Sequence, residues 1–366
     1  MNDRKKINCL EGFRAIGWIS VFLCHFFASF YPDIQTIFFK IPISIYNLGS
    51  VWVRIFFVIS GLVISLKYFN KEISFDEIIN DIIRRYFRLM PSIFISVFFA
   101  YILMKLGFYK NLEAGKITQA QSFLEQFNNF EPKILNVFKE SFFKVYLKSG
   151  STYIAPLWTI SYEFLGSILT IITVLVLRHS NKRYLFYFLF FVFYKNFFVY
   201  FILGMLICDL ILNEKINITF KKMNFLYPLI IIIGFTTTAL SIFGINDVFS
   251  ENKNSRIIFG IGLVFLLYGC INFKIMEQIL GNRIMKFFGK ISFSAYLIHW
   301  PVIETFSFSI LLYFNGKIDY SYLSKIILFL TILVITALSI LMTFFIEYLQ
   351  KNYINKTVLK NIPTNC

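Results

Sequence analysis

Residues 10 to 26 read LEGFRAIGWISVFLCHF, an apolar run with an arginine and a histidine inside it. Arg14 and His25 are eleven positions apart. On an α-helix that spacing brings them to within about 20° of one another, on one face, with His25 roughly 16 Å farther along. Ionisable groups within a lipid-spanning helix face a bundle interior or a water-filled path, and they mark function more often than packing. Arg14 alone reads equally well as a side chain reaching back to the cytoplasmic interface. The aligned pair is harder to dismiss in that way.

Composition places the rest of the chain around this helix. Of 366 residues, 57% are hydrophobic and 20% aromatic, and the mean hydropathy is +0.68. These values describe an all-α, polytopic membrane helix bundle. Apolar spans fall at 8–31, 50–68, 89–108, 156–177, 184–194, 197–212, 224–243, 257–272, 288–313 and 325–348, giving about ten transmembrane helices with both termini on one side. The formal charge of +16 is gathered in short clusters between spans. With both termini inside, 21 basic residues fall in cytoplasmic segments and 6 in short outer loops (Lys40, Lys195, Lys253, Arg256, Lys317 and Lys325). This asymmetry orients both termini to the cytoplasm and argues against nucleic acid as a partner. The five cysteines lack metal-type spacing, so neither a disulfide framework nor a metal site is expected. Basic residues Arg4, Lys5 and Lys6 precede the first span as in a signal peptide. The charged groups inside that span, and no small-residue cleavage site after it, indicate a retained helix.

Four further stretches bear chemistry. VWVRIFFVISGLVIS places Ser60 and Gly61 deep in an aromatic run, where a glycine also serves close helix packing. Arg54, near the outer end of that span, could extend outward. IIRRYFRLMPSIF puts Arg85 and Arg88 on neighbouring helical positions at the membrane edge, a geometry suited to phosphate oxygens as well as to an ordinary basic boundary. In APLWTISYEFLGSILT, Pro156 suits a first helical position, and Glu163 lies about 10 Å into the span. An acid at that depth requires a partner, and His25, at similar depth, is the expected one. Trp158 and Tyr162 share this helix, as interfacial belt residues or as contacts for substrate. In FGKISFSAYLIHWPVI, Ser292, Tyr296 and His299 form one polar stripe, and Pro301 frees the carbonyl of Leu297. Between the third and fourth spans, residues 105–155 form an aromatic-rich outer loop that reads as an interfacial cover or lid. His179, in RHSNKR, reads as a solvated surface histidine.

Taken in order, these stretches resemble the acyltransferase family 3 membrane proteins, bacterial O-acyltransferases of surface polysaccharides. Arg14 to His25 resembles the family's first-helix signature, FFVISGL its FFxxSGF motif, and Arg85 and Arg88 before Pro91 its RxxR element. LWTISYE resembles its LWSLSxE motif, and ISFSAYLIHWP its penultimate-helix motif. Arg54 departs from the family, which often has aspartate there, and Leu62 replaces a phenylalanine.

The resemblance implies a single transmembrane acyltransferase domain over 1–350, followed by a short polar cytoplasmic tail, 351–366, and no fused hydrolase-like domain. It implies acetyl-CoA, or another acyl-CoA, as a co-substrate and no tightly bound cofactor. The acceptor would be a sugar hydroxyl of a lipid-linked or surface polysaccharide such as O-antigen, capsule or exopolysaccharide. The location would be the bacterial inner membrane, with membrane lipid as a partner and homo-oligomerisation left open. His25 would act as general base with Glu163 orienting it. Arg14, Arg85, Arg88, Ser60 and Gly61 would hold the donor, while Trp158, Tyr162, Tyr296 and His299 would meet the acceptor. A non-enzymatic transporter of lipid-linked glycan or small solutes is the alternative, but the chain has no internal repeat or paired broken helices.

Overall fold

The structure is a computed structural model and describes residues 7–32, 45–69, 72–213, 225–243 and 253–352. The basic groups at 4–6, at 215, 221 and 222, and at 356 and 360 lie outside these residues, as do Lys40, Lys71 and most of the polar tail. Among the described residues every regular element is helical. The principal helices are α1 (Cys9–Phe30), α2 (Ile45–Tyr68), α3 (Phe75–Lys105), α4 (Asn111–Thr118), α5 (Gln121–Leu124), α6 (Ile134–Lys139), α7 (Val145–Leu147) and α8 (Trp158–Leu177). They continue as α9 (Arg183–Phe193), α10 (Phe198–Leu212), α11 (Leu226–Phe243), α12 (Lys253–Asn272), α13 (Lys274–Leu280), α14 (Arg283–Val302), α15 (Phe308–Phe314) and α16 (Tyr320–Leu349).

Among the described residues, seven segments are long and apolar enough to cross a membrane, and three apolar helices, within α9, α10 and α11, are shorter. The eleven residues of α9 match the short span read from the sequence. One boundary differs markedly, because α3 starts at Phe75 and not near residue 89. A capping box explains the early start: Ser74 Oγ accepts from Glu77 N at 3.3 Å, and the Glu77 carboxylate accepts from Ser74 N at 3.0 Å. At 31 residues, α3 is about 46 Å long and extends well beyond a bilayer core.

Residues cluster into two compact units. The first comprises Met1–Ile19, Phe39–Ile73 and Leu165–Lys290. One close contact in it is α2 against α10, made at two glycines. A Cβ on Gly61 would lie 2.2 Å from the carbonyl oxygen of Phe201, and one on Gly204 would lie 2.2 Å from that of Val58. Only hydrogen fits at either position. The start of α1 is capped from α13, where the Glu277 carboxylate accepts from Asn8 N at 2.8 Å and Cys9 N at 3.0 Å. Arg183 and the buried Asp209 form a bidentate pair linking α9 to α10. Arg54 does not extend outward. Its guanidinium lies 5.3 to 5.8 Å from the ring centres of Phe259, Tyr200 and Phe197, whose faces attract a cation in an apolar setting. His179 is exposed beside Glu72, as its polar loop suggests.

The second unit comprises Ser20–Phe38, Ser74–Phe164 and Ile291–Cys366. Tyr31 hydrogen-bonds Ser324, and Tyr320 donates to the carbonyl of Phe30, which ties the end of α1 to the start of α16. Residues 109–155 fold into short helices held by their own polar groups. The amide of Asn111 donates to the carbonyls of Leu124 and Phe127 at 3.2 and 3.0 Å. The buried carboxylate of Glu140 takes hydrogen bonds from Ser151, from Thr152 and from Lys144 at 3.0 Å. Tyr146, buried here beside Tyr86, has its phenol pKa pushed up by loss of solvent.

Past Pro301 the helix does not stop. It widens into a π turn over Ile303–Ser307 before α15 resumes. Thr305 Oγ1 donates to the carbonyl of Pro301 at 2.7 Å, helping to satisfy backbone loosened by the proline.

Candidate active site

The site is built within the second unit, around the ring of His25. α1 presents this ring toward the last turn of α14, where His299 and Trp300 follow the polar stripe. His25 Nδ1 lies 2.9 Å from His299 Nε2, with the two rings nearly parallel at 17°. The Trp300 ring meets His25 edge-on at 5.2 Å. Trp300 is met in turn by the edges of Phe127 at 4.9 Å and Phe123 at 6.2 Å, both from the 109–155 segment. The aromatic residues of that segment therefore close over the neighbour of His25.

Burial divides the pair. His299 is 1% exposed, whereas His25 is half-buried, and no described residue hydrogen-bonds its Nε2. One ring is thus locked in packing, while the other keeps a nitrogen with no hydrogen-bond partner among the described residues. A neutral imidazole has one donor nitrogen and one acceptor nitrogen. A free Nε2 opposite an engaged Nδ1 is the arrangement a proton acceptor requires.

The expected pairing of Glu163 with His25 is replaced by another. Glu163 on α8 is bound by the Nη2 of Arg85 on α3. The side chains are only 15% and 21% exposed, so the guanidinium gains more from a carboxylate than from distant solvent. The pairing also occupies one of the two arginines read as a phosphate grip. Arg85 turns to Glu163, while Arg88 is exposed and its carbonyl accepts from Gln350 Nε2 at 3.2 Å. Around the pair, Tyr86, Tyr146 and Phe164 pack ring to ring.

Tyr296, expected to meet substrate, has its hydroxyl occupied. It donates to the carbonyl of Pro156 at 2.7 Å and lies 2.8 Å from Thr159 Oγ1, fixing the entry to α8. Pro156 sits in the opening turn there, as expected. Trp158 and Tyr162 are half-buried on α8 with rings 5.9 Å apart, edge to face.

Three candidates belong to the first unit. Arg14 is a third exposed and reaches Glu11 at 3.3 Å. Ser60 is half-buried, and Gly61 is sealed by the backbone of Phe201, which makes it a packing residue. Among the described residues no cluster of three or more metal-ligating side chains occurs.

Glu304 was missed in the sequence reading. It is wholly buried in the π turn, and neither carboxylate oxygen has a hydrogen-bond partner among the described residues. Its carbonyl accepts from Lys110 N at 3.0 Å, and burial, with a smaller contribution from the Glu304 carboxyl, pushes the Tyr109 phenol pKa well up. Its position five residues beyond His299 was the available signal.

Comparison with known proteins supports an enzymatic reading of this arrangement. A family model described as an acyltransferase domain matches residues 7–348. The chain is 25% identical over 322 residues to the O-acetyltransferase PaAT-1 of Phomopsis amygdali, an alignment that covers 73% of this chain and 65% of that relative. The chain thus spans about two thirds of the relative's length. No solved structure matches.

Proposed function

Because the chain belongs to the acyltransferase domain family, we propose that it is a multi-pass membrane O-acyltransferase using His25 as general base. The observation that carries this reading is the half-buried His25 ring, engaged at Nδ1 and without a described hydrogen-bond partner at Nε2. The donor is an acyl-CoA, with acetyl the expected group, and the acceptor is a hydroxyl of a lipid-linked or surface polysaccharide. His25 Nε2 removes the proton from the acceptor hydroxyl as its oxygen attacks the thioester carbonyl. The C–S bond then breaks, and the departing thiolate recovers the proton from the imidazolium. The products are an ester and free CoA, with no net proton change.

On the sequence motifs alone, Arg14, Arg88 and Ser60 stay assigned to the donor. Arg14 shares α1 with His25, and the roughly 16 Å rise between their positions compares with the reach of a pantetheine arm. Glu163 acts on Arg85 and not on the base. Trp158 and Tyr162 remain the acceptor contacts. Ten crossings with cytoplasmic termini, in a bacterial cytoplasmic membrane, accord with the basic-residue asymmetry.

The test is transfer of label from [14C]acetyl-CoA to a lipid-linked oligosaccharide by purified protein, comparing wild type with His25→Ala. A loss on the order of 100-fold or more is expected, the usual share of a general base. Equal transfer by both proteins would remove His25 from catalysis.

A further inference from the structure

We propose that His299 is a positioning residue that sets the tautomer of His25, so that the free Nε2 is the basic nitrogen. This rests on the reading of His25 as general base and gives His299, expected to contact the acceptor, a different task.

The argument begins with the contact between the two rings. At 2.9 Å, one nitrogen must hold the hydrogen and the other must accept it. If His299 Nε2 were the donor, His25 Nδ1 would accept, and His25 Nε2 would carry hydrogen and be useless as a base. If His299 Nε2 accepts, His25 Nδ1 donates, and His25 Nε2 keeps its lone pair. The two states differ in what happens at the far side of His299.

His299 Nδ1 is fully buried with no hydrogen-bond partner among the described residues, and a helical side chain leans back over the preceding turn, where the carbonyls of Ala295 and Tyr296 lie on α14. A lone pair there would oppose carbonyl oxygens in an apolar interior, whereas an N–H is attracted to them. Nδ1 therefore carries the hydrogen, Nε2 of His299 is the acceptor, and the orientation of the pair follows. The preceding helical turn fixes the tautomer of His299, and His299 fixes that of His25.

The contact also makes the pair hold one added proton and not two. When His25 takes the acceptor's proton at Nε2, its Nδ1–H still meets a neutral acceptor. With both rings protonated, two N–H groups would face each other at hydrogen-bond distance. Carboxylate partners of histidine elsewhere orient the ring and offset its charge; His299 supplies orientation with no charge of its own. Among the described residues, Tyr296 also packs against His299, with its ring centre 5.8 Å away, and Glu304 follows five residues along the chain in the π turn.

The experiment uses the full-length protein, with [14C]acetyl-CoA and a lipid-linked oligosaccharide, and compares His299→Gln, His299→Asn, His299→Phe and His25→Ala. A glutamine side chain can bring an oxygen to where Nε2 stands, whereas asparagine reaches only to the position of Nδ1. Expected are kcat losses on the order of 100-fold for Phe and Asn, smaller losses for Gln, and donor KM within about twofold throughout. The rising limb of kcat against pH should also shift between wild type and His299→Gln, because the group facing Nδ1 of His25 has changed. Thermal midpoints separate misfolded variants from folded ones. Gln and Phe variants that are equally active, with unchanged pH profiles, would overturn the positioning role while leaving His25 as base. An active His25→Ala would instead bring down the reading beneath it.

Discussion

Replacing Gly61 with alanine tests the close α2–α10 contact in the first unit. The added methyl would sit 2.2 Å from the carbonyl oxygen of Phe201, 2.8 Å from its Cα and 2.9 Å from its carbonyl carbon. These are backbone atoms, so no rotamer change clears them. Restoring ordinary contact requires the helices to part by about 1 Å, at a cost of about 1–3 kcal/mol in lost packing. Gly204→Ala meets the same obstacle from the other side, with Val58 O at 2.2 Å and Leu62 N at 2.5 Å. One separation relieves both clashes, so the double variant should lose about 0.5 kcal/mol or more less than the sum of the singles. Four described cysteines are free and buried, and Cys208 lies on α10 itself. In a Cys366→Ser background, a thiol-reactive dye in detergent therefore reports opening of this core on heating. Each single variant is expected to lower the midpoint by several degrees. An unchanged midpoint for Gly61→Ala would refute the close approach, and strict additivity would refute the shared gap.

Two further outcomes follow from buried charge. Glu163→Gln removes the carboxylate from Arg85 and should destabilise the protein by about 2 kcal/mol, while the exchange Arg85→Glu with Glu163→Arg should recover at least half of that in a thermal melt; an exchange less stable than either single variant would argue against the pair. Glu140→Ala strips the hydrogen bonds from Ser151, Thr152 and Lys144, so limited trypsin digestion should cut near Lys148 several times faster than in wild type; an unchanged rate would show that the carboxylate does not hold the 109–155 segment.

The sequence by itself determined that the described chain is helical and apolar, where most spans fall, which family it joins and that a histidine lies within the first helix. Hydropathy and helical period are local properties, and a motif such as LWTISYE is legible in a single stretch. Even the early start of α3 was written locally, in Ser74 and Glu77, though a search for apolar runs passes over a polar first turn. Tertiary structure alone decided the partners. His25 and His299 are 274 positions apart, and Arg85 and Glu163 are 78 apart. Depth along separate helices could suggest that Glu163 and His25 meet, but depth leaves open which way each helix is turned. Rotation is set by packing across the whole bundle, by glycines that admit a neighbour's backbone and by aromatic rings that fill the remaining space. That rotation gave the carboxylate to an arginine and left the imidazole beside another imidazole.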